Sequence, residues 1–148
     1  GHHLRLYVMN NLDINRALKG CRPLFRGVFI CDTLPKEGGG LMVVNTDPHD
    51  KPGTHWVAIY IDGQHGEYFD SLGRRPTAIF EQFLNERCEH WIFNDRQLQS
   101  IASRFCGHYC VYYCMLRSRG VDLRRIVSQF TTDTGFNDVL VHGFICSK

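Results

Sequence analysis

Arg96–Leu116 reads RQLQSIASRFCGHYCVYYCML, and the change of character inside it decides how the rest of the chain is arranged. Up to Arg104 the stretch is mixed and polar. From Cys106 to Leu116 it is apolar or aromatic on nearly all sides, as expected of a buried helix, and Gly120 closes it. Cys106 therefore stands where a loop becomes a helix, among backbone N–H groups that lack intrahelical partners and favour a thiolate. Gln99, seven residues upstream, brings a side-chain amide to the same loop.

A sulfur nucleophile requires a base, and GTHWVAIYI supplies His55 at the start of an apolar strand. From His55 to Ile61 both alternating sides of the strand are apolar, so both faces of a sheet are expected to be covered. Asp62 and Gly63 give a hairpin signal, and EYFDSLG returns as the partner strand with Asp70 at its end. Adjacent strands bring such positions side by side. His55, Asp70, Gln99 and Cys106 are thus the candidate site residues.

The other elements support one domain over residues 4–148, with GHH at the start read as the remnant of an expression tag. A short helix is expected over Asn11–Lys19, a strand in FRGVFICD, a flexible LPKEGGG connection and a strand over Leu41–Asn45. TDPHDKPG is a loop, and a central antiparallel sheet follows from the strands on either side of it. Thr77–His90 is a helix behind Pro76, Trp91–Phe93 a short strand, and Asp122–Phe130 and Thr134–Ile145 two more helices, with Asp122 capping the first.

At 148 residues, with 43% hydrophobic and 22% charged residues, the chain can bury a core without metal or disulfides. A net charge of +2 gives no bulk drive toward nucleic acid or membrane. No run is long enough to cross a bilayer and no signal peptide is legible, so the expected setting is soluble and intracellular. Seven cysteines cannot all pair within one chain, which points to a reducing compartment with most thiols packed as small apolar groups.

The four candidates fill four roles in thiol proteolysis: Cys106 attacks, His55 exchanges the proton, Asp70 orients the imidazole, and the Gln99 amide with the Cys106 backbone N–H receives the oxyanion. GTHWVAIYI, EYFDSLG and LQSIASRFCGHYC in this order resemble the adenain family of viral cysteine proteases, related to the SUMO-deconjugating proteases. The resemblance runs from FRGVFICD to the helix after Cys106. It implies an α+β, permuted papain-like fold, in which a mixed or antiparallel sheet packs against the nucleophile helix and flanking helices. It places the same four roles on His55, Asp70, Gln99 and Cys106, and makes Trp56 an aromatic wall of the substrate cleft.

By the same resemblance the substrates are protein precursors of a DNA virus or virus-like transposon, cut after glycine at Gly-Gly or Gly-X sites, in the host nucleus or the virion. No cofactor is required by the sequence, although the resemblance brings in an activating peptide or DNA. Cys88 lies in the region where relatives carry a cysteine that forms a disulfide with such a peptide; the plain alternative is a packed thiol at a helix end. A monomer is expected, with no membrane partner.

Other readings compete. Cys106, Cys110 and Cys114 share one helix face, but a metal site draws ligands from more than one element, so no metal is expected and Cys110 and Cys114 are assigned to the core. His108 is read as a helix-surface or cleft-edge residue, and His49 and His65 as solvent-facing loop residues. Gln97 competes with Gln99, whose spacing to Cys106 favours it. The pairs Arg74–Arg75 and Arg124–Arg125 are read as solvated surface, with weak DNA binding as the alternative. Among functions, an isopeptidase acting on SUMO or another ubiquitin-like modifier uses the same four residues, and a non-catalytic binding module would need none of them.

Overall fold

The computed structural model describes residues 8–47 and 55–147. The tag reading and His49 lie outside the described residues, as does most of the TDPHDKPG loop. β3 (Trp56–Asp62) is the middle strand of five, and its alternation sorts the core into two layers. Trp56 and Ala58 join one hydrophobic cluster, while Val57, Ile59 and Ile61 join the other. β2 (Gly40–Asn45) repeats the pattern, with Leu41 and Val43 on the first side and Met42 and Val44 on the second. Both faces are covered, as the strand sequence requires.

The sheet order is β1 (Phe25–Ile30), β2, β3, β4 (His65–Phe69), β5 (His90–Phe93). β2, β3 and β4 are antiparallel, and the Gly63–Gln64 turn joins β3 to β4, with Asp62 the last paired residue before it. The two outer pairs, β1 with β2 and β4 with β5, run parallel, so of the mixed or antiparallel sheet expected the structure has the mixed one; only the centre, β2 to β4, is antiparallel as read from the strands on either side of the loop. A hairpin announces itself through its turn residues. A parallel pair is set by a crossover whose destination has no local signal.

One face of the sheet packs on α2 (Ala78–Arg87) through Phe80 and Leu84. This helix ends three residues short of the expected His90, because His90 is already paired as the first residue of β5. The other face receives α3 (Cys106–Ser118), with α1 (Asn11–Ala17), α4 (Leu123–Ser128) and α5 (Thr134–Cys146) around it. α1 is capped by Asn10, whose side chain accepts from Asp13 N–H while the Asp13 carboxylate accepts from Asn10 N–H. Asp122 caps α4 as expected, accepting from Arg125 N–H at 3.0 Å. Among the described residues no helix is long and apolar enough to cross a membrane.

α3 is held to the sheet by burial and by one ion pair. The rings of Tyr113 and Phe69 stack at 4.9 Å with planes 5° apart, and Cys110 and Cys114 are fully buried, packed as core residues. Buried Glu67 accepts from the Tyr113 hydroxyl at 2.5 Å and from Leu123 N–H at 3.2 Å, and pairs with Arg117 at 3.3 Å. A single carboxylate on β4 thereby fixes α3 and the start of α4, and it is compensated by a charge and two hydrogen bonds.

Candidate active site

The first turn of α3 carries Cys106, and no side chain caps that helix. The N–H groups before the first intrahelical bond, from Tyr109 N–H to Phe105 O at 3.0 Å, are therefore not taken up by a cap. Gly107 has a steric reason to follow the cysteine. A Cβ there would stand 3.0 Å from Cβ of Met9 and 3.5 Å from Cδ1 of Trp56. The helix start presses directly on the residues beside β3.

His55 directly precedes β3 and Asp70 directly follows β4, so the hairpin brings the two together. His55 Nε2 lies 2.7 Å from Asp70 Oδ1, and the imidazole is also within side-chain hydrogen-bonding reach of Cys106. With Nε2 engaged, Nδ1 is the ring atom left to exchange a proton with the sulfur. Burial pulls the His55 pKa down, but hydrogen bonds to Asp70 and Cys106 and the charges of both reverse this and hold it at about 9. The imidazolium is the favoured form at neutral pH.

Asp70 is 3% exposed and held by three contacts in addition to His55. Its Oδ1 accepts from Leu72 N–H at 2.9 Å, its backbone N–H donates to Asn94 Oδ1 at 2.9 Å, and its carbonyl accepts from Asn94 Nδ2 at 2.5 Å. The turn continues to Gly73, whose positive φ of 72° suits a residue without Cβ; a Cβ there would meet the Arg96 carbonyl oxygen at 2.7 Å. Ser71 then joins the turn to the Gln99 loop. Its carbonyl accepts from Leu98 N–H at 2.8 Å and Gln99 N–H at 3.0 Å.

Gln99 is buried and lines the same cleft as His55 and Cys106. The Ser71 hydroxyl donates to its Oε1, and its Nε2 donates to the Ser103 carbonyl at 2.8 Å. Both contacts set the same orientation of the amide, and one of its two N–H groups remains for a ligand. Gln97 is exposed, outside the cleft, and donates to Gln99 O at 2.9 Å. From the far side Asn137 of α5, fully buried, donates to Leu98 O at 2.9 Å. Asn94, Ser71 and Asn137 were not singled out in the sequence; only the Asp-Ser-Leu-Gly turn hinted at Ser71.

Trp56 lines the cleft and donates from Nε1 to Met9 O at 3.3 Å. Cys88, at the end of α2, is 7% exposed with its sulfur against Gly66 of β4, and burial raises its pKa. An external peptide would reach that thiol only by displacing this packing. His108 is not at the helix surface: it is 1% exposed, between the rings of Phe105 at 4.4 Å and His142 at 6.4 Å. Burial, together with the charge of His142, lowers its pKa to about 4, so it is neutral. The sequence of α3 did not reveal that α5 would cover this residue. His65 is exposed as expected, but as the first residue of β4 it stacks on His90 at 5.9 Å.

The cleft has a volume of about 670 Å³ and is walled by the Asp70–Arg74 turn on one segment and by Ile101–Arg104 on another. It joins a sulfur at a helix start, an imidazole and an amide, with the carboxylate behind the imidazole.

No protein-family model matches the chain. The protease of Bovine adenovirus 4 is 31% identical over 117 residues, which cover 65% of this chain and 58% of that protein. The cysteine protease of African swine fever virus (isolate Tick/Malawi/Lil 20-1/1983) is 26% identical over 115 residues, 69% of this chain and 42% of that one. The chain thus spans about half the length of these curated relatives. A crystal structure of the African swine fever virus protease superposes with a TM-score of 0.65 at 17% identity, over 95% of this chain and 69% of that chain. The SUMO protease Ulp1 superposes with a TM-score of 0.51 at 14% identity, over 97% and 80%. The chain has the papain-like cysteine protease fold, and its sequence is similar to viral cysteine proteases, as the ordered motifs indicated.

Proposed function

We propose that the chain is a thiol endopeptidase that cleaves viral or transposon protein precursors after glycine, at Gly-Gly or Gly-X sites. The observation that carries this reading is the placement of His55 between Asp70 and the Cys106 sulfur in one open cleft. Cys106 Sγ attacks the scissile carbonyl carbon, and the oxyanion is received by the Gln99 amide and the Cys106 backbone N–H. The imidazolium of His55 gives its proton to the leaving amine as the C–N bond breaks. A thioester remains on Cys106. Water, deprotonated by His55, then attacks that thioester; the C–S bond breaks and the imidazolium–thiolate pair is restored. Asp70 keeps the ring in place throughout. In this reading the enzyme works as a monomer in the host nucleus or the virion. An activating peptide or DNA is part of this reading, with Cys88 as a packed thiol at the end of α2 in preference to a disulfide partner of the peptide.

A second reading is favoured by the match to the SUMO protease: removal of SUMO or another ubiquitin-like modifier by the same residues. The experiment is turnover of fluorogenic Gly-Gly peptides and of Gly-Gly fusions to ubiquitin-like proteins, with labelling by a thiol-directed probe. Endopeptidase action predicts turnover of short peptides, its loss in Cys106→Ala with the melting curve retained, and probe attachment at residue 106 in the unmodified protein, located by peptide mapping because the exposed Cys146 is labelled in both proteins. Retained turnover in that variant refutes the assignment. Far faster turnover of the fusions transfers the substrate to the second reading.

A further inference from the structure

The charge of the cleft carries information that the four reacting groups do not. Among the described residues that line it there are two guanidinium groups, Arg74 and Arg104, and no carboxylate. Both arginines are exposed, and among the described residues neither forms an ion pair. This differs from Arg75, which pairs with Glu81 at 3.4 Å and lies over the rings of Trp91 and Phe93.

The two segments that carry these arginines are anchored. Arg74 follows Gly73, whose N–H donates to Asp70 O at 2.8 Å and whose Cα packs on the Arg96–Gln97 backbone. Arg104 follows Ser103, which accepts from Gln99 Nε2 at 2.8 Å through its carbonyl and from Phe105 N–H at 3.3 Å through its hydroxyl. The contacts that position the Asp70 turn and the Gln99 loop therefore also hold, along the cleft, two cations that have no ion pair among the described residues. A planar guanidinium recognises a carboxylate through paired N–H groups, and an anchored backbone lowers the ordering cost of that contact.

We propose that Arg74 and Arg104 form an anionic subsite of the cleft, and that the preferred substrate carries Asp or Glu side chains close to its scissile glycine. This rests on the cleft being the substrate site of the proposed peptidase. Each exposed arginine–carboxylate contact contributes about two- to fivefold in binding, and salt screens it.

Two assays test it separately from catalysis. Binding of glycine-centred peptides that differ only in flanking Asp, Asn or Lys is measured with Cys106→Ala by fluorescence polarisation at low and high salt. The expected order is Asp over Asn over Lys, with a spread that narrows in high salt; equal binding of the three overturns the subsite, whatever the chain's activity. The same series as substrates of the unmodified protein should differ in KM rather than kcat. Arg74→Glu and Arg104→Glu, each checked by its melting curve, should each reduce or abolish the preference for Asp over Lys, and the double variant should reverse it. An unchanged preference in both folded variants overturns the assignment of these residues. Failure of every peptide to be cut, with the binding order intact, counts against the peptidase reading and supports the subsite.

Discussion

Ser71→Ala tests whether the Gln99 amide, proposed to receive the oxyanion, is held in place from behind. The Ser71 hydroxyl donates to Gln99 Oε1, and the two residues are 0% and 2% exposed. Removing the hydroxyl leaves a buried carbonyl oxygen without its donor, which costs about 1–3 kcal/mol of stability. The Ser71 backbone carbonyl keeps its bonds from Leu98 and Gln99, so the loop stays attached. Complete removal of an oxyanion donor lowers kcat by about 10²–10³, the loss expected of Gln99→Ala. In Ser71→Ala the amide retains its bond to Ser103 O, so the expected fall in kcat is smaller, about tenfold, or about 1.4 kcal/mol.

The assay is kcat and KM on a Gly-Gly reporter well below the melting temperature, for the unmodified protein, both single variants and the double variant. If Ser71 acts through Gln99, its effect on kcat disappears when Gln99 is already alanine. An equal fall in both backgrounds, or an unchanged kcat in a folded Ser71→Ala protein, refutes the argument.

Two further outcomes follow from the geometry. The imidazolium of His55 is held to about pH 9 against an ordinary value of 6.5, so its stabilisation is complete below 6.5 and is lost as the pH rises through 9. Activity against pH should fall on an alkaline limb near 9, and urea unfolding should weaken over the same interval by on the order of 3 kcal/mol; a limb near 6.5 contradicts the site. Gly107→Ala places a methyl 3.0 Å from Met9 Cβ at the start of α3. Overpacking of this kind costs about 1–3 kcal/mol, of which the higher helix propensity of alanine returns about 1, so a lower melting temperature and a lower kcat are expected. Unchanged values would show that the close approach does not matter.

The sequence by itself determined the elements whose signals are local. The apolar run after Cys106 specified a buried helix, the alternation over Trp56–Ile61 specified a strand covered on both faces, and Asp62–Gly63 specified the hairpin that places residues 55 and 70 at neighbouring strand ends. Three of the candidate site residues were legible for the same reason, since His55, Asp70 and Cys106 stand at ends of elements whose boundaries the sequence marks, whereas Gln99 lies within the loop between β5 and α3. Tertiary structure alone decided the parallel pairing of β1 with β2 and of β5 with β4, the burial of His108 under α5, the clamp of Glu67 on α3, and the Asn94, Ser71 and Asn137 contacts that position Asp70 and the Gln99 loop. The contacts of Glu67 alone reach from 46 to 56 positions along the chain. No local periodicity encodes such a pairing, because its stability arises only when the elements have met and buried the groups that pair.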